Sequence, residues 1–191
     1  FKTFAKVLAQ RWELVATFMA KWNNDLPGCS GHIHQSLMDD EGKQNLFSDL
    51  DNEHKLSEIA QQYIAGQLSL MPSLTALSCP TINSYKRAVP GIWSPINVSW
   101  GIENRTTAIR TIPGITPEST QVEYRLAGAD ANPYLAMVAG LASGLYGIEH
   151  KVELPPSTSG NAYEDPNLQP LPPNLTAATR WLDQREAARE Y

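Results

Sequence analysis

The sequence predicts an α+β fold, an antiparallel sheet packed with helices. Helix-spaced apolar residues cluster in long runs, short apolar–polar alternations cluster between Cys79 and Arg125, and the two textures are segregated instead of alternating as βαβ units.

Taken in order, residues 3–16 carry Phe4, Val7, Leu8, Leu14 and Val15 at helical spacing, with an irregularity near Arg11. Ala16 to Lys21 reads as a short strand entering the loop 23–28. A second strand follows at the histidines, and Met38 to Lys43 is the polar tip of a hairpin. Residues 56–77 form a long helix, which Pro72 is expected to kink or divide. Ile96 to Trp100, Ala108 to Ile112 and Gln121 to Leu126 are the remaining strands. Asp130 or Asn132 caps an apolar helix that opens on Pro133 and runs to about Ile148. A Pro-, Ser- and Asn-rich connection over 153–174 leads to a last helix that includes Trp181 to Tyr191.

A chain of 191 residues can bury a full core, and 42% hydrophobic content is that of a globular domain. The net charge of −5 argues against nucleic acid as a partner. No apolar run reaches the roughly 20 residues of a membrane span. Cys29 and Cys79 are too few for a disulfide framework, which points to a reduced, cytoplasmic setting. The first residue is Phe1 within an amphipathic helix, so the chain is expected to be part of a longer polypeptide.

The segment Gly28-Cys29-Ser30-Gly31-His32-Ile33-His34-Gln35-Ser36-Leu37 is the first that carries chemistry. With a side-chain period of two, a strand there sets His32, His34 and Ser36 on one face and Ile33, Gln35 and Leu37 on the other. Two imidazoles and a hydroxyl suit a metal ion and its bound phosphates; the plain alternative is a pair of satisfied strand histidines. Four of the eight arginines, Arg87, Arg105, Arg110 and Arg125, fall in the strand-rich middle among apolar or small neighbours. Arginine in that context needs a partner and is the natural fork for carboxylate or phosphate oxygens. Val122-Glu123-Tyr124-Arg125 repeats the alternation, so Glu123 and Arg125 share a face. Glu123 could join His32 at Mg²⁺ or Mn²⁺, or form a cross-strand ion pair.

Together these segments resemble the glutamine synthetase family. The resemblance is carried by Ala16 to Lys21, Ser30 to Leu37, Asn45-Leu46-Phe47, Asn83 to Arg87, Val89-Pro90-Gly91, Asn104-Arg105, Ala108 to Arg110, Val122 to Arg125 and Ala131 to Ala136. The matches keep the family's order from residue 1 to about residue 165. Residues 1–191 would then be the C-terminal part of the catalytic domain, with the N-terminal β-grasp domain and first catalytic strands outside the chain.

The resemblance implies a two-step amide synthesis. ATP phosphorylates the γ-carboxylate of glutamate, and an amine displaces phosphate. It implies that His32 and Glu123 bind a divalent metal, that His34 and Ser36 contact the nucleotide, and that Arg105 and Arg110 stabilise its polyphosphate. Arg87 and Arg125 would hold glutamate or the transferring phosphate, and Gly28 would allow close approach of the amino acid. Arg105 and Arg125 are the catalytic candidates. A ring-shaped homo-oligomer is implied as well.

Three departures bear on the substrate. Trp93 stands where ammonia-using relatives place a glutamate two residues after Val-Pro-Gly, and an indole cannot act as a base, though its face attracts an alkylammonium. Pro27 replaces an asparagine before Gly28, and Pro117 to Gln121 contains no basic residue. The first two favour a γ-glutamyl–amine ligase over an ammonia-using enzyme, and the 191 residues alone are expected to be inactive. A non-catalytic scaffold and a His-x-His hydrolase are the alternatives; the latter lacks a further ligand at suitable spacing, since His54 and His150 stand in charged surroundings.

Overall fold

The central element is a helix that is apolar nearly all round, and such a helix must be covered on several sides. In the computed structural model, which describes residues 1–190, this is α2 (Glu58–Ser78). Ser57 caps it, its hydroxyl accepting from the Ala60 N–H at 3.1 Å, and the single-turn α3 (Ile82–Tyr85) follows it. One side of α2 presents Tyr63, Ile64, Leu68 and Met71 to a cluster with Trp100, Ile109, Val122 and Tyr124 of the sheet. Another presents Leu70 and Leu74 to Ala139 of α4 (Pro133–Glu149) and to Leu182 and Ala188 near the C-terminus. α2 also packs on α4, α5 (Leu175–Gln184) and α6 (Ala187–Glu190), and α4 touches the sheet directly where Ala136 meets Ile33 of the first strand.

Pro72 does not divide α2, which is continuous from Glu58 to Ser78. Burial on several sides outweighs the one backbone hydrogen bond that proline removes. α4 is capped by Asn132, whose side chain accepts from the Tyr134 N–H at 3.0 Å, so Asn132 and not Asp130 is the cap. α1 (Lys2–Gln10) is shorter than its apolar pattern suggests. It leaves Phe4, Val7 and Leu8 exposed, as α4 leaves Met137, Val138 and Leu141. Among the described residues no helix is long and apolar enough to cross a membrane. The C-terminal segment is two helices, α5 and α6, not one; Tyr191 lies outside the described residues.

The sheet has four strands, β1 (Ile33–Gln35), β2 (Trp100–Ile102), β3 (Ile109–Ile112) and β4 (Gln121–Tyr124), in the order β1-β4-β3-β2. β4 is antiparallel to both neighbours, as expected, but β2 and β3 are parallel, so the sheet is mixed. A connection too short for a crossover helix makes that pair. It turns at Glu103, which has φ +51°, and is held by Asn104, whose amide donates to Thr158 O and Gly160 O at 3.2 and 2.8 Å.

Two expected strands also moved. Ala16 to Lys21 lies outside the sheet, because the Asn83 side chain satisfies both the N–H and the carbonyl of Lys21, at 2.9 and 2.7 Å. Residues 96–98 pair instead with the late loop, Val98 N–H to Gln169 O and Leu171 N–H to Ile96 O, and β2 starts at Trp100. The polar turn after the histidines is a short hairpin bridged at Met38 and Asn45.

α2 and α4 meet backbone to backbone at Gly66 and Gly147. A Cβ on Gly66 would collide with Ser143 O and with Gly147 Cα. Gly66→Ala should therefore destabilise the protein by about 1–3 kcal/mol, despite alanine's better helix propensity. Equilibrium urea unfolding checks this through a lower midpoint at unchanged slope.

Candidate active site

Strand register assembles the site. Glu123 on β4 lies directly opposite His34 on β1 and Arg110 on β3, and Arg110 lies opposite Gly101 on β2. Opposed residues share a face, so a row of ionisable side chains, His34, Glu123 and Arg110, crosses three of the four strands. Val122 and Tyr124 point the other way into the core, and Gln35 turns toward α2, where Tyr63 OH donates to its Oε1 at 2.6 Å. The alternation expected at both motifs is therefore present.

Glu123 is 4% exposed and encircled. His32 Nδ1 lies 2.8 Å from Oε1 and Arg125 Nη1 3.1 and 3.0 Å from the two oxygens. Arg110 Nη1 is 3.3 Å from Oε2, and His34 Nε2 stands farther off at 3.8 Å from Oε1. Burial alone would push this carboxyl up. The His32 hydrogen bond and the Arg125 guanidinium outweigh it and hold the pKa at about 2.

The four arginines differ in what they are committed to. Arg125 is buried and gives Nη1 to Glu123 and Nη2 to the carbonyls of Trp93 and Arg105, at 3.3 and 2.9 Å. Its Nε is buried without a hydrogen-bond partner among the described residues. Arg110 gives Nε, at 3.0 Å, and Nη2 to Glu103 Oε2. Burial lowers the Arg110 pKa, but the Glu103 contact outweighs it and the net direction is up. Arg87 is buried beside Cys79, with Nη2 on Leu126 O at 2.5 Å, and burial lowers its pKa. Arg105 is exposed, with no ion pair among the described residues.

Gly28 does mark a close approach, but one within the chain: a Cβ there would meet Ala20 O and come within 2.8 Å of Arg87 Cγ. Trp93 has φ +61° and a largely exposed indole, with its carbonyl fastened to Arg125. Ser36 is exposed just beyond β1, and His34 Nδ1 lies 2.8 Å from Gln121 Oε1.

The donor set can be tested against a divalent cation. With Nδ1 turned to Glu123, His32 keeps Nε2 buried and without a partner, and a lone-pair nitrogen beside an ionised carboxylate suits Mg²⁺ or Mn²⁺. Among the described residues no group of three or more His, Cys, Asp or Glu is placed so as to hold a metal ion by itself. The donor types of His32 and Glu123 suit such a cation, with His32 Nε2 open and Glu123 orienting the ring through Nδ1.

Sequence reading did not single out Glu103 or Gln121, and it read Asp130 only as a possible helix cap. Glu103 was detectable in principle as one of few acids in the arginine-rich stretch, but only the parallel β2–β3 register puts it beside Arg110. Asp130 accepts from the hydroxyls of Thr81 and Ser84 at 2.6 and 2.7 Å, fixing the turn that leads to Arg87.

A depressed carboxylate contributes stability above its unfolded pKa and loses it as pH falls through the folded value. For Glu123 that window runs from the ordinary 4.5 down to about 2. In the metal-free protein, Glu123→Gln should flatten the loss of stability across this range, an effect on the order of 3 kcal/mol. Chemical denaturation of both proteins at stepped pH checks it.

Comparison with known proteins places this geometry. The description "Glutamine synthetase, catalytic domain" matches residues 1–191. The type-1 glutamine synthetase 2 of Dictyostelium discoideum is 40% identical over 195 residues, covering 100% of this chain and 37% of that protein. The glutamate–isopropylamine ligase of Pseudomonas sp is 40% identical over 190 residues, covering 98% of this chain and 41% of that protein. A solved structure described as a GmaS/ADP complex superposes with a TM-score of 0.89 at 36% identity, covering 99% of this chain and 44% of that one. The chain spans about two fifths of the length of these curated relatives. With His32, Glu123 and the four arginines set out on one catalytic-domain scaffold, the chain belongs to the glutamine synthetase family.

Proposed function

We propose that the protein carrying this chain is an ATP-dependent carboxylate–amine ligase that forms a γ-glutamyl amide through γ-glutamyl phosphate. The observation that carries the reading is the buried Glu123 carboxylate, held ionised by His32, Arg110 and Arg125 on one face of the sheet. In this reading residues 1–191 are the C-terminal part of the catalytic domain, and the remaining metal ligands come from elsewhere in the protein or its partner subunits. A relative that acts on isopropylamine, and another solved with ADP, are consistent with both substrates.

A γ-carboxylate oxygen of glutamate takes the terminal phosphoryl group of ATP, and ADP leaves. The amine nitrogen then attacks the acyl carbon, the bond to phosphate oxygen breaks, and the amine's surplus proton passes to water. Most of this chemistry is positioning and charge stabilisation. His32 and Glu123 would hold Mg²⁺ or Mn²⁺, which when bound offsets negative charge on the ATP phosphates. Arg105 and Arg110 supply positive charge to the polyphosphate, and His34 and Ser36 contact the nucleotide. Arg125 keeps Glu123 ionised and supports the transferring phosphate, while Arg87 and Gly28 shape the glutamate end. The ring-shaped homo-oligomer belongs to the same reading, and the free thiols Cys29 and Cys79 are consistent with a reduced, cytoplasmic setting.

Trp93 decides the amine in this reading. Its indole offers no carboxylate to position or deprotonate ammonium, whereas its face attracts an alkylammonium by about 0.5–2 kcal/mol. The full-length protein should therefore release phosphate with methylamine, putrescine or spermidine at a kcat/KM about tenfold above that with ammonium. Trp93→Glu should narrow or reverse that ratio. Phosphate release across the four amines checks both; ammonium as the best substrate of the unmodified protein would instead make it a glutamine synthetase.

A further inference from the structure

Glu103 lies outside every role given above, and its geometry is unusual. It stands at the left-handed turn after β2, with φ +51°, a backbone that costs a non-glycine residue about 1–3 kcal/mol. Its N–H is tied to Thr111 O at 2.9 Å, so the turn is fixed. From there its carboxylate takes both the Nε and the Nη2 of Arg110 on a single oxygen. The partners are unequally covered: the Arg110 side chain is 15% exposed and that of Glu103 50%. On the other side Arg110 Nη1 is held by buried Glu123. The guanidinium is therefore anchored at its inner edge and covered at its outer one by an acid that can swing into water.

We infer that Glu103 is a displaceable internal counter-anion, occupying on Arg110 the place that a polyphosphate oxygen takes when nucleotide binds. This rests on the ligase reading for the identity of the anion. Carboxylate and phosphate oxygens compete for the same N–H fork. Exposed Arg105, two residues along the same turn, can meet the incoming anion without giving up a partner. An ion pair with a half-exposed partner is weak enough to exchange. It keeps Arg110 oriented and its charge offset while the site is empty, and it lowers anion affinity by the strength of the pair.

The test is calorimetric titration of the full-length protein with inorganic tripolyphosphate, without divalent metal and at low salt. Glu103→Gln and Glu103→Ala should bind about two- to fivefold more tightly than the unmodified protein, with the gain shrinking as salt rises. Glu103→Asp keeps the charge but withdraws it by one methylene from Arg110, and it too should tighten binding. Glu41→Gln, at the distant hairpin tip, should change nothing. Unchanged or weaker binding by Glu103→Gln overturns the inference, and so does Glu103→Asp behaving like the unmodified protein, since a general field effect would then explain the gain. Absence of binding by all forms overturns it as well. The ligase reading fails separately: an unmodified protein with no amine-dependent phosphate release, whose Glu103 variants still bind tripolyphosphate more tightly, sinks only that reading.

Discussion

A carboxylate taken almost wholly out of water must be compensated on the spot, and Glu123 imposes that requirement on everything around it. Leaving such a charge unpaired costs several kcal/mol, and removing one partner of a buried pair typically costs 3–5 kcal/mol. The sheet meets the requirement by register. Antiparallel pairing on both sides of β4 puts His34 and Arg110 opposite Glu123, and the two-residue period sets Arg125 on the same face. A one-residue slip of β4 would turn Glu123 into the cluster of Tyr63, Ile64 and Trp100. The polar row and the apolar core therefore fix the same register from opposite faces.

That coupling explains what was legible in the sequence. The alternations at His32 to Ser36 and Val122 to Arg125 are read directly from a period of two, and both faces came out as expected. The helices at Glu58–Ser78 and Pro133–Glu149 follow from apolar runs, the second with Asn132 among its expected caps, while the Ser57 cap of the first was not singled out. What escaped is what depends on partners distant in the chain. Ala16 to Lys21 has strand-like composition, but Asn83 claims its backbone groups. The parallel pairing of β2 with β3 depends on a left-handed glutamate that no propensity would place there, and with that pairing unseen Glu103 could not be matched to Arg110. Pro72 does not divide its helix, because the stability of that helix is tertiary.

The arginines also show why residue type alone did not settle roles. All four are permanently charged, so they differ only in how many donors remain free. Arg125 spends both terminal nitrogens inside the fold and joins the Trp93 loop, the Arg105 turn and Glu123 through one guanidinium. Arg87 is similarly enclosed, under Gly28 and beside Cys79. Arg105 spends none among the described residues. A chain with net charge −5 thus builds a local positive region in layers, the inner guanidiniums neutralising Glu123 and organising loops, the outer ones facing solvent.

Two of the five non-glycine residues with positive φ among the described residues fall in the same place. Trp93 and Glu103 both flank this region, and each loop is fastened to an arginine of the cluster. Their unfavourable φ values cost about 1–3 kcal/mol each and persist only where surrounding contacts over-determine them. Arg125 is the common contact: it holds the Trp93 carbonyl directly and the Glu103 turn through the carbonyl of Arg105. The interaction that keeps Glu123 ionised is therefore also the one that holds two strained loops in place. Glu123 and the backbone of the Trp93 loop are thus joined through a single guanidinium, so the carboxylate and the loop that carries the indole share one anchor.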